Sequence, residues 1–172
     1  PAAGIIGLHV ERTLAAGGVP ILNHPNYRWA VRGDDLLAVE RLELFEVWNG
    51  HPQVNNAGDA THPGTEALWD LLLSSGRRVW GVASDDVHHL RTWGTARSNP
   101  GRGWIMVQSD DLTTEAVVDA VRRGRFFASS GVALASLRTG PRWLELVVDE
   151  EATRAELARG LVAGLPAPAD AP

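Results

Sequence analysis

Three stretches of the chain share one pattern, in which apolar residues at helical spacing are followed by a glycine and then by a short apolar run. Apolar side chains three or four positions apart lie on one face of an α-helix. A glycine just past such a stretch is typical of the C′ position, where the backbone turns left-handed. The pattern therefore predicts helix–strand pairs at 10–16 and 19–22, at 67–75 and 78–83, and at 113–123 and 125–128.

Shorter runs complete the scheme, with a helix expected at 35–41 and strands at 42–48 and 103–107. Helix, glycine and buried strand form half of a βαβ unit, so their repetition predicts an α/β fold with parallel strands and covering helices. From 131 the pattern changes to two strand-like runs, 132–137 and 143–148, around a turn sequence. We therefore expect a main unit at 1–130, a β-hairpin or small β appendage at 131–149, and a weak helix with a disordered Ala/Pro tail at 150–172.

Polar side chains follow the predicted strands where each strand ends. Four of the six histidines lie at these positions, namely His24, His51, His88 and His89. Residues two apart in an extended chain point to the same side, so Asp86 and His88 are expected to project together, with Asp85 on the other side. Parallel α/β sheets carry their active sites at this edge, and carboxylates and imidazoles bind divalent metals. The pattern therefore indicates a metal-binding or catalytic site.

The amino-acid composition excludes several classes of function and of site. A net charge of −5 leaves no basic surface for broad nucleic-acid binding, so a phosphorylated substrate would need a metal or a few arginines. The lack of cysteine excludes disulfides, thiolate zinc sites and cysteine nucleophiles. The sequence has no apolar run of transmembrane length and no signal-peptide pattern, so a cytoplasmic location is the default expectation.

Four segments resemble the PHP (polymerase and histidinol phosphatase) domain family. They are Asn23-His24-Pro25-Asn26, Glu46-Val47-Trp48-Asn49-Gly50, Val82-Ala83-Ser84-Asp85-Asp86-Val87-His88 and Gly124-Arg125-Phe126-Phe127-Ala128-Ser129-Ser130-Gly131. The resemblance, which covers about 15–148, implies a distorted (β/α)7 barrel that holds two or three divalent ions (Zn, Mn or Fe) and hydrolyses phosphate esters. It also implies that His24, Asp86 and His88 are metal ligands.

The sequence departs from the family at one point, because it has no His-x-His motif of the kind that opens the family's domain. We therefore expect 1–130 to be the C-terminal portion of a PHP-like barrel and the chain to be a fragment. A fragment of this kind would carry an incomplete set of metal ligands, and its own activity would then depend on the missing ones.

Other polar residues have two interpretations that stay open. Three residues are candidates to hydrogen-bond to the metal ligands and orient them. The alternatives are a helix cap for Asp85, a turn former for Asn49 and an edge-strand glutamate for Glu46. Arg102 and Arg97 are candidates to bind the substrate anion, Arg102 being the better one, while surface arginines are the simpler account. We interpret His51 and His62 as solvated loop residues.

Three functions remain. The main hypothesis is a PHP-type metal-dependent phosphoesterase acting on a phosphorylated small molecule or nucleotide. The second is another metal-dependent hydrolase on a barrel, of the amidohydrolase kind. The third is a non-catalytic remnant of the PHP domain, kept for folding or for binding a partner.

Overall fold

The computed structural model of the 172-residue chain describes residues 2–162, with side chains as far as 156. In chain order its elements are α1 (Ala2–Ala15), β1 (Ile21–Leu22), a 3-10 turn (Tyr27–Trp29), α2 (Gly33–Ala38), β2 (Leu44–Asn49), α3 (Thr65–Ser74), β3 (Trp80–Ser84), β4 (Trp104–Val107), α4 (Thr114–Arg122), β5 (Phe126–Ser129), β6 (Leu134–Gly140), β7 (Trp143–Val148) and α5 (Glu150–Val162). Every predicted helix and strand occurs, with shifted ends; α1 begins at Ala2 rather than at 10. The predicted Ala/Pro tail at 165–172 lies outside the described residues.

Strands β1, β2 and β3 form a parallel sheet with β2 in the middle. Phe45 of β2 is fully buried and packs against Leu36 of α2 and against Leu68 and Leu72 of α3. A second cluster joins α1 to the sheet through Val10. Because the three strands run in the same direction, their carboxyl ends meet at one edge, which we call the carboxyl edge. The helices hold this edge in place by burying the apolar side chains of the sheet.

The other four strands pair two by two, and both pairs are antiparallel. The prediction that the third helix-glycine-strand unit continues the parallel sheet is therefore wrong. The N–H of Gln108 donates to the carbonyl of Arg125 at 2.8 Å, so the chain returns from α4 beside the point where it left β4. The apolar pattern predicts a strand but not the direction in which it runs. The structure confirms a mixed α/β fold, and its strands between 2 and 162 do not close into a barrel.

The predicted β-hairpin is formed by β6 and β7. Leu134 pairs with Val148 at its open end, and Gly140 pairs with Trp143 next to the turn. Helix α5 follows at once and is tied to the start of the hairpin, since the N–H of Ala133 donates to Oγ1 of Thr153 at 3.0 Å. Among the helices at 2–162, none combines the length and the apolar character needed to cross a bilayer.

Candidate functional site

A β-bulge in β2 turns Glu46 and Asn49 to the same side of the sheet. Glu46 pairs with Val82 and Trp48 with Ala83, so β2 has one extra residue between them. In a regular strand, side chains three positions apart point to opposite faces, and a bulge reverses this. Nδ2 of Asn49 accordingly donates to Oε2 of Glu46 at 2.9 Å, and both side chains are buried.

The carboxylate of Glu46 joins the ends of all three parallel strands. Besides the amide of Asn49, it accepts hydrogen bonds from the backbone N–H of His24 after β1 and from the hydroxyl of Ser84 at the end of β3. A buried carboxylate needs such partners, because its transfer from water to the protein interior costs free energy unless it is hydrogen-bonded. Strand β2 is central, so the alternative that Glu46 is an edge-strand glutamate is wrong.

Asp86 and His88 meet at the carboxyl edge. Oδ1 of Asp86 lies 3.1 Å from Nε2 of His88, and its Oδ2 accepts a hydrogen bond from Nδ2 of Asn49 at 3.3 Å. The predicted convergence is confirmed, but not for the predicted reason. Strand β3 already ends at Ser84, and Asp86 has a left-handed backbone with φ of 49°. The role of the pair as metal ligands stays a prediction.

The electrostatics of the site keep Asp86 ionised. Burial raises the pKa of Asp86, but hydrogen bonds from His88 and Asn49 and electrostatic interactions with His88 and His24 lower it more. The resulting pKa lies below the ordinary value of an aspartate. Asp86 is therefore a carboxylate near neutral pH, which is the form that binds cations.

His24 follows β1 at the same edge of the sheet as this pair. Its backbone has φ of 31°, a rare conformation for a non-glycine residue, and its ring lies edge-to-face on Tyr27 at 5.8 Å between centroids. In the part of the chain that the structure describes, no three His, Asp or Glu side chains lie close enough together to hold a metal ion. Asp86 and His88 thus have the donor chemistry of a divalent-metal site but supply only two ligands, fewer than a catalytic zinc site uses.

His51, which lies at a predicted strand end but was interpreted as a solvated loop residue, is a member of the site. It is half-buried rather than fully solvated, and its ring lies edge-to-face on His88 at 5.2 Å between centroids. Burial lowers the pKa of His51 more than the charge of Asp86 raises it, and neighbouring histidines lower it further. The imidazole is therefore neutral near pH 7. The signal that pointed to it was its place two residues after β2.

Asp85 and Arg102 hold the loops around the site. Oδ1 of Asp85 accepts the backbone N–H groups of Arg102 and Gly103, the second at 2.9 Å. The side chain of Arg102 is only 5% exposed, and its Nη2 donates to the carbonyl of Gly94 at 2.6 Å. Arg102 is therefore not a surface arginine. Its role in binding substrate stays a prediction.

Arg97, the second arginine candidate, is exposed on the loop after β3. Its Nη1 lies 3.3 Å from Nε2 of His89. The contact places a permanent positive charge beside the histidines of the carboxyl edge. Arg97 remains a predicted substrate-binding residue.

The described residues therefore supply the carboxylate–imidazole pair of Asp86 and His88, the buried carboxylate of Glu46 and the imidazole of His51 against His88. Such a set can bind a cation and place hydrogen-bond donors beside it. Compared with family models, curated proteins and solved structures, the chain matches none of them. The resemblance to the PHP family accordingly rests on the four sequence segments alone.

Proposed function

We propose that the protein is a metal-dependent phosphoesterase of the PHP type. The observation that carries this proposal is the contact of Asp86 with His88, 3.1 Å apart at the carboxyl edge of a parallel sheet. On this proposal the parallel sheet and its helices are part of a distorted (β/α)7 barrel. The substrate of the enzyme is a phosphorylated small molecule or nucleotide. The default location remains the cytoplasm.

Asp86 and His88 would hold a divalent ion, with His24 as the third ligand. Zn, Mn and Fe all suit carboxylate and imidazole ligands, and the complete family cluster has two or three ions. A bound ion of this kind supplies a nucleophile at neutral pH and neutralises charge on phosphate oxygens. The ligands Asp86 and His88 come from one loop, so a complete set requires His24 to approach them.

Glu46 and Asn49 would act through the ligands rather than on the substrate. Nδ2 of Asn49 donates to both carboxylates, that of Glu46 at 2.9 Å and that of Asp86 at 3.3 Å. This fixes the orientation of the Asp86 carboxylate, as outer partners do in metal sites, where their loss typically weakens metal binding by about 10–100-fold.

Zinc binding measured by calorimetry tests the proposal. We expect the wild-type chain to bind Zn²⁺, and Asp86→Ala and His88→Ala to weaken that binding by about 100-fold or more, since each removes a ligand. Hydrolysis of p-nitrophenyl phosphate, measured with added Zn²⁺ or Mn²⁺, should fall in parallel.

A second Asp–His pair provides the matched control. Oδ1 of Asp59 lies 2.9 Å from Nδ1 of His62 on the exposed loop between β2 and α3. Asp59→Ala and His62→Ala should leave zinc affinity unchanged. If substitutions in the Asp59–His62 pair lowered zinc affinity as much as those in the Asp86–His88 pair, zinc binding would be unspecific. That result would contradict the proposal. No zinc binding by the wild-type chain would favour a non-catalytic remnant.

The arginine contacts favour one alternative, a metal-dependent hydrolase of neutral esters or amides. Arg102 is the better of the two anion-binding candidates. Its Nη2 donates to the carbonyl of Gly94 at 2.6 Å and its Nη1 to the carbonyl of Gly50 at 3.5 Å. A neutral substrate would not need these charges. A panel of p-nitrophenyl esters and anilides separates the two functions, because turnover of those compounds without turnover of p-nitrophenyl phosphate would favour the alternative.

A further inference from the structure

The backbone of His51 is held by the same amide that orients Asp86. The N–H of His51 donates to Oδ1 of Asn49 at 2.8 Å, while Nδ2 of Asn49 donates to Asp86 at 3.3 Å. These two bonds also fix which end of the Asn49 amide is the oxygen. His51 and Asp86 are therefore positioned together.

A backbone contact determines which nitrogen of His51 carries the proton. The N–H of Gln53 points at Nδ1 of His51 at 3.1 Å. Because an N–H can only donate, Nδ1 must accept, and a neutral imidazole then carries its proton on Nε2. Among the described residues, none forms a hydrogen bond with this Nε2.

The same contact argues against a role as metal ligand. A histidine ligand binds the metal through one nitrogen and donates a hydrogen bond from the other. Binding through Nε2 would put a proton on Nδ1, which would then face the N–H of Gln53. Two donors would meet at 3.1 Å, so the local backbone disfavours this arrangement.

Two aromatic neighbours fix the plane of the ring. The ring of His51 lies edge-to-face on His88 at 5.2 Å and edge-to-face on Tyr27 at 6.5 Å between centroids. Such contacts favour one ring orientation over others. The imidazole ring of His51 is thus held next to the proposed metal ligand His88.

We infer that His51 donates a hydrogen bond from Nε2 to a phosphate-ester oxygen of a substrate held at Asp86 and His88, and that it is not a metal ligand. The identity of the substrate rests on the proposed function, whereas the position of the proton does not. A fixed neutral donor beside a site of charge development lowers a reaction barrier, and removing one such donor costs about 100-fold or more in rate.

Nitrogen-15 NMR of the imidazole groups tests the position of the proton directly. At about pH 8, where histidines are neutral, the coupling pattern of His51 should show the proton on Nε2. Addition of inorganic phosphate with one equivalent of Zn²⁺ should shift the Nε2–H resonance of His51. A proton on Nδ1, or no response of His51 to phosphate, would overturn the inference.

Variants test the donor separately from the ligands. His51→Phe keeps a ring for packing but has no donor, and we expect unchanged zinc affinity with a kcat/KM for p-nitrophenyl phosphate that is about 100-fold lower. His51→Gln restores an amide donor and should recover part of the loss. His9→Phe, on the exposed face of α1, is the matched control and should match the wild type.

The outcomes separate this inference from the proposed function. Loss of zinc by His51→Phe, with Asp86→Ala behaving as expected, would overturn the inference and leave the phosphoesterase proposal standing. No zinc binding and no phosphatase activity in the wild type would instead overturn the proposed function. In that case the NMR response of His51 to phosphate would still decide whether it is an anion-facing donor.

Discussion

Asp86 and His88 show what single residues in a sequence can and cannot predict. Their side chains converge as their spacing predicted, but the convergence comes from the left-handed backbone at Asp86 and not from an extended strand. Aspartate tolerates this conformation better than most residues. His51 was interpreted as a solvated loop residue because its contacts with Gln53 and His88 cannot be derived from its spacing in the sequence.

Glu46 carries a testable consequence for stability. Its carboxylate accepts hydrogen bonds from His24, Asn49 and Ser84, so Glu46→Ala would leave three donors without their acceptor. We expect a loss of about 3 kcal/mol in the free energy of unfolding, because a buried donor left without its acceptor costs about 1–3 kcal/mol. Urea denaturation followed by circular dichroism measures this loss.

The control for Glu46 is Glu43, three residues earlier and exposed. Glu43→Ala should change the unfolding free energy by less than about 0.5 kcal/mol. A similar small effect for Glu46→Ala would mean that water replaces the carboxylate at no cost. The strand ends would then not depend on this residue.

At the level of helices and strands, the apolar periodicity predicted which elements exist. It did not predict the bulge in β2, which depends on how Glu46 and Trp48 pair with the neighbouring strand. It also did not predict that β5 runs antiparallel to β4. Both features are set by contacts between elements, and a pattern along one element contains no information about them.

The glycines after α3 and α4 offer a matched pair of substitutions. Gly76 and Gly124 both have a left-handed backbone, with φ of 84° and 69°. A Cβ at Gly76 would meet no atom within 4 Å, whereas one at Gly124 would overlap the indole ring of Trp80. Gly76→Ala should therefore cost about 1–2 kcal/mol for the backbone alone. Gly124→Ala should cost about 1–3 kcal/mol more, because the rigid indole ring must move.

Thermal or chemical unfolding of both glycine variants checks the comparison. If the two substitutions cost the same, the close approach of α4's end to Trp80 does not exist in solution. If Gly76→Ala costs nothing, the left-handed turn after α3 is not maintained there.

For the whole molecule, the structure divides into a buried part and an exposed one. The parallel sheet is covered by α1, α2 and α3, while all six residues of β7 are exposed, including Trp143 and Leu146. The sequence predicted the hairpin but not its exposure, because the apolar residues of β7 are typical of a buried strand. Burial depends on what the rest of the fold places over a strand, and within the described residues β7 pairs with β6 alone.

This division predicts a gradient of local stability, because a two-stranded hairpin without a covering layer is marginally stable in water. Amide hydrogens of β7 should exchange with deuterium at least about 100-fold faster, after correction for sequence, than those of β2, which has a partner strand on both sides. Hydrogen exchange with mass spectrometry, performed at a low and a high protein concentration, measures both rates. Slow exchange of β7 at both concentrations would contradict the exposed hairpin. Slow exchange only at the high concentration would mean that copies of the chain associate through these apolar side chains.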